Sequence, residues 1–68
     1  MEIFNEAKLI KLKMDQKIME SCEDNVNSTF VIAEKDFTQI VKSLKGEYNI
    51  ISERIDNEYL NLDVEWKR

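Results

Sequence analysis

Sixty-eight residues with a net charge of −4, 43% hydrophobic and 35% charged, describe one small acidic globular domain. A single cysteine and a single glycine exclude an intrachain disulfide, a zinc knuckle and a Gly-rich phosphate cradle. The absence of histidine removes the commonest general base and metal ligand, so the composition favours a non-enzymatic protein without metal or cofactor.

Residues 2–22 fit two periodicities. As a helix, Ile3, Phe4, Ala7, Ile10, Met14, Ile18 and Cys22 form one apolar stripe, with Lys11 intruding and Leu9, Leu12 and Met19 outside it. As a strand, Ile10, Leu12 and Met14 alternate with Lys11, Lys13 and Asp15, and residues 17–22 return as its partner. The helix accounts for more of the apolar residues. A second hairpin would give the C-terminal one a better-supported sheet, because a lone hairpin is marginal. Cys22 reads as a small, partly buried hydrophobe, and a reducing, cytoplasmic setting suits it.

Residues 23–29 are polar enough to be a loop, and Phe30, Val31 and Ile32 give a short extended run after it. Glu23, Asn25, Asn27 and Glu34 echo the spacing of a calcium loop, but the first position is not Asp and Ser28 replaces the turn glycine, so no metal site is expected.

Residues 34–45 form the clearest element, a central helix. Phe37, Ile40, Val41 and Leu44 share one helical face, with Glu34 and Asp36 at its start and Lys42 and Lys45 at its end. Gly46 stands where a left-handed C-terminal cap would place it.

Residues 48–66 read as an antiparallel β-hairpin, in which Leu60, Leu62, Val64 and Trp66 alternate with Asn61, Asp63 and Glu65. A two-residue turn at Asp56-Asn57 or Asn57-Glu58 adds Ile51 and Ile55 to the buried face. The other face then gathers Tyr48, Ile50, Arg54, Tyr59, Asp63 and Glu65, a combination of aromatic, apolar and charged groups that suits partner binding. Residues 46–65 hold the acids Glu47, Glu53, Asp56, Glu58, Asp63 and Glu65 against Arg54, which suits a basic partner and repels nucleic acid phosphates.

The whole chain, residues 1–68, is therefore expected to be a single small α+β domain. Its N-terminal segment is either a helix or a second hairpin. The expected function is that of an inhibitor or accessory protein that docks its acidic, tyrosine-bearing hairpin on another protein with a basic surface. The alternative is a small homodimeric DNA-binding regulator using Lys8, Lys11, Lys13 and Lys17, although no helix-turn-helix or aromatic-basic interleaving accompanies them. Self-association into a homo-oligomer is a further way for a domain this small to gain stability. No apolar run is long enough to span a membrane. The eight isoleucines, eight lysines and six asparagines fit AT-rich coding, as in a low-GC bacterium or its phage.

Overall fold

The computed structural model describes residues 2–67, which form two helices packed on one side of a four-stranded sheet. In chain order the elements are β1 (Ile3–Phe4), α1 (Ala7–Glu20), β2 (Asn25–Ala33), α2 (Phe37–Leu44), β3 (Asn49–Arg54) and β4 (Tyr59–Lys67). A 3-10 turn at Glu34–Asp36 leads into α2. The strands lie in the order β1-β2-β4-β3, with β1 parallel to β2 and the other neighbours antiparallel. This is the expected α+β class, with the central helix and the C-terminal hairpin both present.

The N-terminal segment is a helix preceded by a very short strand. Ala7, Ile10, Met14 and Ile18 recur every three or four residues, and the stripe turns inward: Ile10 and Met14 are fully buried, and Ala7 and Ile18 pack against them. Leu9, Leu12 and Met19, outside that stripe, stay exposed. Ile3 and Phe4 leave the helix and pair with Val31 and Ile32 as β1. Parallel strands need a long connection between them, and α1 supplies it. Cys22 is exposed rather than partly buried, because α1 ends at Glu20, before the chain can carry Cys22 onto the inner face.

The segment expected to be a loop is mostly strand, since β2 begins at Asn25. Its inward residues Val26, Ser28, Phe30 and Ile32 alternate with polar and small ones, and each faces an apolar residue of β4: Trp66, Val64, Leu62 and Leu60. Phe4 and Phe30 meet edge to face, with ring centroids 5.0 Å apart. Ile40 and Leu44 of α2 complete the core.

Among the described residues none has a positive φ, so Gly46 does not form a left-handed cap. Instead α2 tightens at its end, and the amides of Glu47 and Tyr48 both donate to the Leu44 carbonyl, at 3.1 and 3.0 Å.

The hairpin departs from expectation in its register. The amides of Ile55 and Asp56 both donate to the Tyr59 carbonyl, and the Asp56 carboxylate accepts from the amides of Glu58 and Tyr59 at 2.7 and 2.9 Å. The turn therefore comprises Asp56, Asn57 and Glu58 instead of two residues. One extra residue flips every side chain of β3 to the other face. Ile50 now lies opposite Val64 on the core side, and Ile51 lies opposite Asp63 on the outer side.

Candidate docking surface

The helices cover one face of the sheet, and the other is open. Strand pairing assigns its side chains in rows that cross the sheet. One row runs Asn27, Glu65, Asn49; the next runs Thr29, Asp63, Ile51; the third runs Val31, Asn61, Glu53, with Ile3 beyond Val31. Tyr59 lies on the same face opposite Ala33.

Asp63 is at the centre of this surface. The Thr29 hydroxyl donates a short hydrogen bond to its carboxylate, fixing the acid in place from the β2 side. On the β3 side its neighbour is Ile51, which is 70% exposed. Asn27, Thr29, Asn49, Ile51, Asp63 and Glu65 line a shallow depression of about 280 Å³ there. The strand residues of this face include the acids Glu53, Asp63 and Glu65, with Lys67 as the base. Ile51 is thus an apolar side chain held in the open directly beside an acid.

The six residues expected to form one binding face are divided between two. Tyr59, Asp63 and Glu65 belong to the open face. Tyr48, Ile50 and Arg54 do not. Tyr48 is only 7% exposed and belongs to the core at the end of α2. Burial, and then the nearby charges of Asp15 and Glu47, push its phenol pKa up from the ordinary 10.0. Ile50 is half-buried against the core.

Arg54 points to the helix side and grips Glu34 through two hydrogen bonds, Nη2 to Oε1 at 2.9 Å and Nη1 to Oε2 at 3.2 Å. It also donates to the Asp56 carbonyl at 3.2 Å, which ties the 3-10 turn to the hairpin. The Arg54–Glu34 hydrogen bonding, and then the Arg54 charge, hold the Glu34 carboxyl below its usual range. The pairing of β2 with β4 puts Asn27 and Thr29 on the open face, and in place of these three residues the hairpin register brings Asn49, Ile51 and Glu53 there. The turn length was the signal that would have found them.

The N-terminal lysines lie on α1, away from the open face. Lys17 donates to the Asn27 carbonyl at 2.8 Å. Lys11 pairs with Glu47 at 3.8 Å, and Lys8 with Glu6 at 3.6 Å. Among the described residues no group of three or more acids and cysteines converges as a metal site, and no helix is long and apolar enough to cross a membrane.

Against known protein families, curated protein sequences and solved structures, the chain has no significant match.

Proposed function

We propose that this chain is a non-enzymatic interaction module, an inhibitor or accessory protein, that lays the open face of its sheet on a basic surface of another protein. The observation that carries this reading is Ile51, 70% exposed beside Asp63 on a face that no helix covers. Isolated apolar side chains on a surface are ordinary, but this one is surrounded by Glu53, Asp63 and Glu65. Acids of one sign on a nearly flat surface steer a basic partner into register, and a central apolar residue supplies contact once water is expelled. The lysines of α1 lie elsewhere, and on the strands of the open face the three acids outnumber Lys67.

The test is parallel affinity capture from a host lysate with the wild-type chain, with Asp63→Lys/Glu65→Lys, and with Lys8→Glu/Lys13→Glu. A stoichiometric protein retained by wild type and by the helix variant, released by salt and lost with the open-face variant, is the expected result. A bound set that is the same for all three chains sinks the reading.

A further inference from the structure

The sheet has two edges, and they are treated differently. Beside β2, β1 covers Val31 and Ile32, and farther along the Lys17 ammonium caps the Asn27 carbonyl. A covering strand and a lysine are two of the means by which proteins prevent edge-to-edge pairing. Beside β3 neither is present. Among the described residues no strand lies outside it, and its sequence, Asn49-Ile50-Ile51-Ser52-Glu53-Arg54, has no lysine and no proline. Its two charges are opposite, so this edge is neutral within a chain of net charge −4. Two adjacent isoleucines with low net charge are a pairing-prone composition.

The hydrogen-bond phase of this edge is fixed. The Ile55 amide donates to Tyr59 directly opposite it. Alternation then turns the backbone groups of Glu53, Ile51 and Asn49 toward β4, and those of Ile50, Ser52 and Arg54 outward. We propose that β3 pairs antiparallel with β3 of a second copy, in the register that sets Ile51 opposite its own counterpart. In that register Ile50 and Ser52 of each copy exchange both backbone hydrogen bonds with Ser52 and Ile50 of the other. The isoleucines form the non-hydrogen-bonded pair between them, the closer of the two pair types.

The flanking pairs are also compatible. Asn49 faces Glu53 and Tyr48 faces Arg54, so no like charges are opposed. The product is a continuous eight-stranded sheet, twice the four of one chain. Residues directly opposite share a face, so all helices lie on one side and both acidic faces on the other. The pairing goes beyond the docking reading and needs no partner protein.

The contact is small, so a dissociation constant on the order of 100 µM is expected. Sedimentation of the full chain from about 10 µM to about 1 mM should show a monomer–dimer equilibrium. Ile51→Lys should weaken it at least about tenfold, because a charge at the centre of an edge opposes pairing. Asp63→Lys/Glu65→Lys should dimerise undiminished, which separates this test from that of docking. Hydrogen exchange should show the Ile50 and Ser52 amides gaining protection with concentration. A monomer mass throughout overturns the proposal. So does a dimer that leaves those two amides unprotected. A chain that stays monomeric but gains that protection on adding an alternating Lys-Val peptide also overturns it, and assigns the edge to a basic extended segment.

Discussion

Tyr48 shows how little residue type alone says about position. A tyrosine in an acidic hairpin has the chemistry of an interface anchor, yet this one is a core residue whose amide closes the end of α2. Its environment has a consequence for alkaline stability. The folded state keeps the phenol protonated above the ordinary 10.0, whereas the unfolded chain ionises near that value. The folded state therefore holds the extra proton, and this contribution is complete below about pH 10 and lost as pH rises through the raised folded value. Tyr48→Phe is expected to lose less stability than wild type between about pH 8 and about pH 11, measured by urea denaturation at both values. An equal loss in the two proteins would show that Tyr48 does not titrate differently on folding. Arg54 teaches the same lesson: its guanidinium is engaged by Glu34, a residue 20 positions away that no local pattern connects to it.

At the scale of elements, strong periodicity was readable and register was not. The face of α2 and the alternation of β4 stand out because each repeats three or more times. The two residues of β1 have no period to detect, and the first half of β2 is concealed by Asn25, Asn27, Ser28 and Thr29. Adjacent Ile50 and Ile51 could each have faced inward, and the composition of β3 does not choose between them. The Asp56 side chain does, by bonding two amides and fixing a turn with an odd number of residues. This register can be tested by stability. Ile50→Ala removes half-buried atoms and is expected to cost about 1–2 kcal/mol. Ile51→Ala on the open face should stay within about 0.5 kcal/mol of wild type at monomer concentrations. Chemical denaturation of both variants decides, and the reverse order would return β3 to the two-residue register. The candidate surface was legible only in its β4 half, Tyr59, Asp63 and Glu65, because that strand does not depend on the turn.

For the whole molecule, the decisive feature is that β2 and β4, the two nine-residue strands, lie side by side at the centre of the sheet. Leu62 and Val64 are fully buried beneath both helices' apolar stripes, together with Ile32. Leu62→Ala should cost about 2–5 kcal/mol, a large part of the stability of a domain this size, and a calorimetric midpoint close to wild type would contradict the core described above. β4 is bonded on one flank to its sequence neighbour and on the other to a strand made long before it. During synthesis β1, α1, β2, α2 and β3 all leave the ribosome ahead of the strand that joins them, with Phe30 and Ile32 lacking the Leu62 and Leu60 they face across the sheet. Until β4 is made the sheet is two unjoined pieces, β1 with β2 and an unpaired β3, so its core closes only when the strand between them arrives.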